Sequence, residues 1–69
     1  MSYSYTFHYT SGRRAIMGDY RVSENTAIKA GCDLSLEKKK VIMVRRHTPD
    51  WYNDQNWIVA ICMNGKVIS

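Results

Sequence analysis

The stretch SYSYTFHYT at positions 2–10 alternates strictly between two sets of side chains. Four aromatic rings share one side of it: Tyr3, Tyr5, Phe7 and Tyr9. A period of two built from aromatic and β-branched residues is typical of a β-strand. Ser11 and Gly12 then supply a flexible pair that favours a tight turn. We therefore interpret the segment 13–22 as the return strand of a hairpin.

The segment after this hairpin has the pattern of a helix. Ser23 suits the N-cap position, and Glu24 places a negative charge where the helix dipole favours one. The apolar residues that follow gather on one side of a helical wheel, which predicts an amphipathic helix over 24–36. Gly31 leaves two alternatives open, because it either ends the helix early or lets the sheet approach closely.

Three further strands are expected after the helix. Four consecutive apolar residues in the segment 41–46 indicate a central strand that is covered on both faces. The next strand is expected at Trp57–Met63. Asn64 and Gly65 form the dipeptide of a type I′ turn, so the segment 66–69 returns as a short last strand. The order ββαβββ predicts an α+β fold, in which one mostly antiparallel sheet packs against one helix.

The length and composition of the chain bound what it can be. Its 69 residues suffice for a single small α+β domain over 1–69 and are too few for a second core. The first residues lack the apolar region of a signal peptide, and no apolar run approaches the roughly 20 residues that a membrane span needs. Two cysteines are too few for the disulfide framework of a secreted mini-protein. We therefore expect a cytoplasmic protein that does not associate with a membrane.

The chain is basic, with ten Lys and Arg residues against six Asp and Glu and a net charge of +4. A field of this sign favours nucleic acid, an acidic protein groove or anionic lipid as a partner. Solubility alone is the other explanation, because small domains commonly carry net charges of about 2–8.

The side chains that could support catalysis do not form a recognisable site. A nucleophile needs a base within hydrogen-bond reach, and the base needs an orienting group. The candidates are two cysteines and two histidines: Cys32, Cys62, His8 and His47. Neither cysteine lies in a local context that would activate its thiol, and the four residues lack the spacing of a zinc site. We therefore expect no enzymatic activity, no catalytic residue, no metal and no cofactor.

The aromatic side of the first strand has two interpretations. As core, its rings would pack under the helix, which so small a protein needs. As an exposed face, the rings would stack on unpaired bases while arginines bind phosphates, as in modules that bind single-stranded nucleic acid or RNA. The tyrosine hydroxyls need a polar partner or water, and this keeps the second interpretation open.

Basic and aromatic side chains are the candidate contacts with a partner. Arginine binds carboxylate or phosphate with two hydrogen bonds, and Trp and Tyr are enriched at binding hot spots. The polar segment 47–56 is long for a link between strands, and long loops in compact domains are often functional. The residues predicted to bind a partner are Arg13, Arg14, Lys39, Arg45, Arg46, Trp51 and Tyr52. The alternatives are a solvated surface for the cations and a core-capping position for Trp51.

Four segments follow one another in the chain: SYTFHYTSGRR, SENTAIKAG, KKKVIMVRR and WIVAICMNGKVIS. In size and in this order of parts, the chain resembles small phage-encoded inhibitors of the anti-CRISPR type. The resemblance implies a non-enzymatic, stoichiometric inhibitor that docks on a nucleic-acid-handling complex in the cytoplasm of a host cell. Its partner would be a large protein or ribonucleoprotein complex, and direct binding of single-stranded nucleic acid is the alternative. The protein would be a monomer, or a homodimer paired through the edge strand 66–69.

Overall fold

The computed structural model describes residues 3–47 and 57–69. Its elements are β1 (Ser4–His8), α1 (Glu24–Lys38), β2 (Ile42–His47), β3 (Trp57–Met63) and β4 (Lys66–Val67). The strands form one antiparallel sheet in the order β1-β2-β3-β4, and α1 packs against it. The prediction of an α+β fold, with one helix on an antiparallel sheet, is confirmed. Within the described ranges, no helix is long and apolar enough to cross a membrane.

The strand that was predicted to be central is central. β2 pairs with β1 on one side and with β3 on the other. Phe7, Val44 and Ala60 stand opposite one another across the three strands. The register with β3 shifts after Val44, where a β-bulge places Val59 as an extra residue in β3.

The segment 13–22 does not form the predicted return strand, so the order of elements is βαβββ. It meets β1 through two isolated bridges, Tyr5 with Tyr20 and His8 with Arg14. Five residues lie between Arg14 and Tyr20, whereas only two residues of β1 lie between Tyr5 and His8. The segment therefore has three more residues than β1 can pair with, and these bulge out of the ladder. The segment still covers the outer edge of β1, where Tyr5 and Tyr20 exchange backbone hydrogen bonds of 2.8 and 2.9 Å.

Both ends of α1 have capped backbone groups. The Ser23 hydroxyl accepts a hydrogen bond from the Thr26 N–H at 3.2 Å, which confirms the predicted N-cap. At the other end, Lys39 adopts left-handed angles of φ 56° and ψ 39°, and its N–H donates to the carbonyl of Ser35. The helix runs two residues beyond its predicted end because this lysine, and not Gly31, terminates it.

Gly31 is the point at which α1 rests on the sheet. A Cβ at this position would overlap Cγ2 of Val44 and would lie 3.4 Å from Cε1 of Phe7. Of the two roles predicted for this glycine, close approach of the sheet is therefore the one observed. The absence of a side chain lets the helix backbone lie directly on β1 and β2.

The core lies between α1 and the adjacent face of the sheet. Its buried hydrophobic members are Tyr5, Phe7, Ala27, Leu34, Ile42, Val44, Ala60 and Cys62. Tyr5 and Phe7 are only 2% and 1% exposed, and Phe7 meets the ring of Tyr20 edge-on at 5.2 Å between centroids. The middle of the aromatic strand is therefore core, as the first of its two interpretations had it.

The turn predicted at Asn64 and Gly65 joins β3 to β4. Both residues have left-handed backbone angles, with φ 53° and 79°, as a type I′ turn requires. β4 itself is shorter than predicted, although Ile61 continues the pairing through backbone hydrogen bonds with Ile68 and Ser69. β4 forms one outer edge of the sheet.

We expect Gly31→Ala to lower the free energy of unfolding by about 1–3 kcal/mol, the usual cost of overpacking a core. Intrinsic helix propensity acts in the opposite direction, since alanine is favoured over glycine by about 1 kcal/mol in a helix. Chemical denaturation followed by circular dichroism measures the free energy of unfolding and so shows which of the two effects is larger. Lys29→Ala, at an exposed position of the same helix, is the matched control and should change the stability little. A Gly31→Ala variant as stable as the wild type would contradict the close contact.

Candidate functional site

A cleft of about 660 Å³ opens where the end of β1, the end of α1 and the β3–β4 turn meet. Its cationic lining residues are Arg13, Arg14, Lys39 and Lys40. No Asp or Glu of the described chain lines the cleft. Tyr9 and Met63 contribute surface that is less polar than that of the cations. Nζ of Lys40 lies 5.5 Å from the centre of the Tyr9 ring. The cleft is therefore cationic, with one aromatic wall.

Two reversals of the chain bring these cations together. After β1, the Gly12 N–H donates to the Tyr9 carbonyl at 2.9 Å, and the Tyr9 N–H donates to the Arg13 carbonyl at 2.8 Å. This turn places Arg13 beside the end of the strand. After α1, the left-handed backbone of Lys39 directs the chain from the helix into β2, so that Lys39 and Lys40 reach the same opening. Residues far apart in the sequence thus line one cleft.

The charges of the cleft are only partly neutralised by neighbours. Nη1 of Arg14 lies 3.8 Å from Oδ1 of Asp19. This ion pair is partly exposed, and ion pairs of this kind contribute little to stability. Arg13 and Lys39 form no ion pair with any residue in the ranges 3–47 and 57–69. The cleft consequently retains a positive charge that attracts anionic groups.

The structure divides the seven residues that were predicted to bind a partner. Three of them line the cleft: Arg13, Arg14 and Lys39. Arg45 and Arg46 do not line the cleft, because they lie near the far end of β2, whereas the cleft is lined by Lys40 and Val41, just before this strand begins. As neighbours on the strand, they also point to opposite faces of the sheet. Trp51 and Tyr52 lie outside the described residues. The predicted surface is therefore not one continuous patch among the described residues.

Lys40 was missing from the predicted site. The helix was expected to end at about position 36 with the three lysines at its carboxyl end, and of these only Lys39 was predicted to contact a partner. Because α1 extends to Lys38 and the chain reverses at Lys39, the next residue enters the cleft. The run of three lysines just before a β-strand was the available signal.

Arg46 lies between two aromatic rings at the beginning of β1. Its guanidinium carbon is 4.7 Å from the centre of the Tyr3 ring and 5.1 Å from that of Trp57. Its Nη1 donates to Oε1 of Glu24 at 3.2 Å. The Tyr5 hydroxyl donates to the same oxygen at 3.5 Å, and burial raises the pKa of Tyr5. Arg46 therefore ties β2 to the first turn of α1 and already has partners within the chain.

The face of the sheet opposite α1 carries a buried polar network. Oγ1 of Thr6, which is fully buried, lies 2.8 Å from Nε2 of His8 and 2.7 Å from Nε2 of His47. Nδ1 of His8 lies 3.1 Å from the Gly12 carbonyl, which can only accept, so this nitrogen carries a proton. In the neutral ring Nε2 then accepts the Thr6 proton, and Nε2–H of His47 donates to the Thr6 oxygen. The network has one direction, from His47 through Thr6 and His8 to Gly12.

This network favours a neutral His8. Burial lowers the pKa of His8, and the positive charges of Arg45 and Arg14 lower it further. A proton on Nε2 of His8 would face the Thr6 hydroxyl, which would then lose the acceptor for its own proton. Because the Thr6 oxygen is buried, a substrate cannot reach it without a local opening of the fold. The arrangement orders the sheet rather than exposing a reactive group.

The cysteines lie on the helix side of the sheet. Cys62 is fully buried on β3, and its Sγ is 3.3 Å from Sγ of Cys32 on α1. Burial raises the pKa of Cys62 to about 12. His8 follows the core residue Phe7 on β1 and therefore faces the opposite side. The sheet separates Cys62 from His8, so these two residues do not form a nucleophile–base pair.

No protein family, characterised protein or solved structure matches the chain. The cationic cleft is the feature that brings together three of the seven predicted binding residues. The chemistry of these side chains is therefore the basis on which a function can be inferred.

We expect the free energy of unfolding to fall as the pH is lowered from about 7.5 to about 5.5. In the unfolded chain His8 titrates near its ordinary pKa of about 6.5, whereas the folded chain holds the pKa of His8 lower. The unfolded state then binds more protons in this window, so stability is retained above the unfolded pKa and lost on acidification. Urea denaturation at several pH values measures the slope.

The matched variant is His8→Asn, whose amide can still donate to the Gly12 carbonyl but does not titrate. It should be less stable than the wild type at neutral pH and should show a flatter dependence on pH. Equal slopes for the two proteins would mean that His8 does not contribute to the acid sensitivity.

Proposed function

We propose that this chain is a non-enzymatic binding protein whose cationic cleft docks on an acidic surface of a protein partner. The observation behind this proposal is the convergence of four cations on one cleft that no carboxylate of the described chain lines. Arginine and lysine on one concave surface attract and orient acidic side chains. Complementary charge of this kind increases association rates and excludes wrong partners.

The way the cleft is built supports a preformed docking site. The Gly65 N–H donates to Oγ of Ser35 at 3.1 Å, and the same hydroxyl donates to the Cys32 carbonyl at 2.7 Å. These bonds fasten the β3–β4 turn to the end of α1, and both elements line the cleft. A site that is rigid before binding loses less conformational entropy on association. Met63 and Asn64 at its edge supply apolar and polar contacts beside the cations.

The partner that this proposal favours is a large protein or ribonucleoprotein complex that handles nucleic acid. Docking in equal stoichiometry would cover a surface of that complex and inhibit it. This choice of partner rests on the resemblance of the chain, in size and in the sequence of its parts, to small inhibitors of the anti-CRISPR type.

We expect the double variant Arg13→Glu/Lys39→Glu to lose at least about tenfold in affinity for an acidic ligand, equivalent to about 1.4 kcal/mol. A fluorescein-labelled oligo-glutamate peptide is a defined probe, and its anisotropy at low salt reports binding. Both reversed residues belong to the cleft and are exposed, so the variant should fold normally.

The charge-matched control is Arg21→Glu/Lys29→Glu, which changes the net charge equally at exposed positions outside the cleft. This control should bind the peptide nearly as the wild type does, apart from a small loss through the overall field. Equal losses in the two double variants would show that net charge, and not the cleft, governs binding.

A second candidate function is direct binding of single-stranded nucleic acid in the same cleft. The half-buried ring of Tyr9 beside the cations favours it, since stacking on an aromatic ring and phosphate contacts act together in such sites. The longer platform over Tyr3, Tyr5, Phe7 and Tyr9 cannot serve, because its two central rings are core. At most one ring of that strand is then available at the cleft.

Titration with a labelled oligothymidylate at several salt concentrations tests this second function. Four cations that each neutralise one phosphate of a single strand would give a log–log slope of about −3 at most. The Arg13→Glu/Lys39→Glu variant should flatten this slope. Binding of the oligo-glutamate peptide with no detectable oligothymidylate binding at low salt would reject the nucleic-acid function and leave protein docking.

A further inference from the structure

The two cysteines of the chain meet across the helix–sheet interface. Cys32 lies in the middle of α1 and Cys62 on β3, 30 positions apart in sequence. Their sulfur atoms are 3.3 Å apart, so the Cys32 thiol donates a hydrogen bond to the sulfur of Cys62. Cys62 is fully buried, whereas Cys32 is only half-buried. Cys32 is therefore the partly exposed member of the pair, and Cys62 is enclosed by the protein.

We propose that Cys32 and Cys62 form a site of reversible oxidation, at which a small-molecule disulfide such as glutathione disulfide converts the two thiols into one intramolecular disulfide. This proposal is independent of the function of the cleft. It rests on the position of the two sulfur atoms and on the difference in exposure between them.

The geometry requires little movement for this bond to form. A disulfide has a sulfur–sulfur distance of about 2.05 Å, so the two atoms must approach by about 1.3 Å from their separation of 3.3 Å. Each cysteine has one rotatable side-chain torsion that moves its sulfur. The helix and β3, which carry the two cysteines, already pack against each other.

The exchange proceeds in two steps that balance. The Cys32 thiolate attacks one sulfur of glutathione disulfide, forms a mixed disulfide with glutathione and releases the first glutathione thiolate. Cys62 then loses its proton and attacks the Cys32 sulfur, the protein disulfide forms, and the second glutathione thiolate leaves. Two protein thiols are oxidised, one glutathione disulfide is reduced to two glutathione molecules, and these take up the two cysteine protons.

The difference in exposure decides which cysteine reacts first. Glutathione can reach the half-buried Cys32, while the buried Cys62 meets only the sulfur that is already beside it. Burial also raises the pKa of Cys62 to about 12, so the second step is expected to accelerate as the pH rises. Cys32 is thus the attacking residue and Cys62 the resolving residue.

The bond would cross-link the helix to the sheet. It would close a long loop that includes β2, and cross-links of this kind restrict the unfolded chain. The Cys32 carbonyl also accepts the Ser35 hydroxyl that holds the Gly65 N–H of the β3–β4 turn. We therefore expect the oxidised protein to melt at a temperature higher by on the order of 10 °C.

The test is incubation of the folded wild-type chain in buffers of varied ratio of glutathione to glutathione disulfide. The thiols are then alkylated and the intact protein is weighed by mass spectrometry. The expected product has no alkylated thiol, no bound glutathione and no second chain, and dithiothreitol restores both thiols. A wild-type product that retains bound glutathione, forms a linked dimer or keeps both thiols in the most oxidising buffer would overturn the proposal.

Two variants separate the steps. Cys62→Ala should accumulate glutathione on Cys32, and Cys32→Ser should keep Cys62 as a free thiol. The double variant Cys32→Ala/Cys62→Ala should melt at the same temperature in the most reducing and the most oxidising buffer. This result would assign the rise in the melting temperature of the wild type to the cross-link. Because the wild type is measured in its folded form, destabilisation of a Cys62 variant leaves the main result interpretable. An equal shift in the double variant would refute the stabilising role of the bond.

Discussion

The contact of α1 with the sheet at Gly31 is the constraint on which the rest of this structure depends. Since no side chain stands between them, the helix backbone lies directly on Val44 and Phe7. This contact sets the height and the direction of a helix that is 15 residues, or about 22 Å, long. The two ends of the helix are thereby placed at the two ends of β1, and each end builds a different surface feature.

The two ends differ in charge and in what they do with it. At the N-terminal end, Glu24 sits where the helix dipole favours an anion, and it binds Arg46 within the chain. At the C-terminal end, Lys39 and Lys40 offset the negative end of the dipole and face outwards into the cleft. The attraction for an anion in the cleft therefore comes from the side chains and not from the helix. The arginine that pairs within the chain and the cations that line the cleft are separated by the length of α1.

The sheet separates the cysteine pair from the polar network of Thr6 and the two histidines. On its helix side the pair Cys32 and Cys62 lies among apolar residues, and on the other side Thr6 connects two histidines. A buried polar network is costly unless its members have partners, and the direction of the hydrogen bonds provides one for both ring nitrogens of His8 and for Nε2 of His47. The alternation of side chains along β1 is responsible, since it turns Phe7 towards the helix and its neighbours away from it.

The sequence by itself determined the local features of this protein. Alternating rings gave β1, a serine cap gave the start of α1, and Asn64 with Gly65 gave the last turn, because each depends on residues close in the chain. The segment 13–22 was misjudged, since its apolar residues suit a strand but its spacing against β1 leaves three residues outside the ladder. Such a mismatch appears only when both partners are known.

Only the tertiary structure decided which cations meet. Arg13 and Lys39 lie in different parts of the chain and come together because the ends of β1 and α1 coincide, which no local pattern encodes. The two cysteines likewise come together only because α1 packs on the sheet. Residue types and local turns are properties of the chain, whereas distances between remote side chains are set by packing of the helix on the sheet.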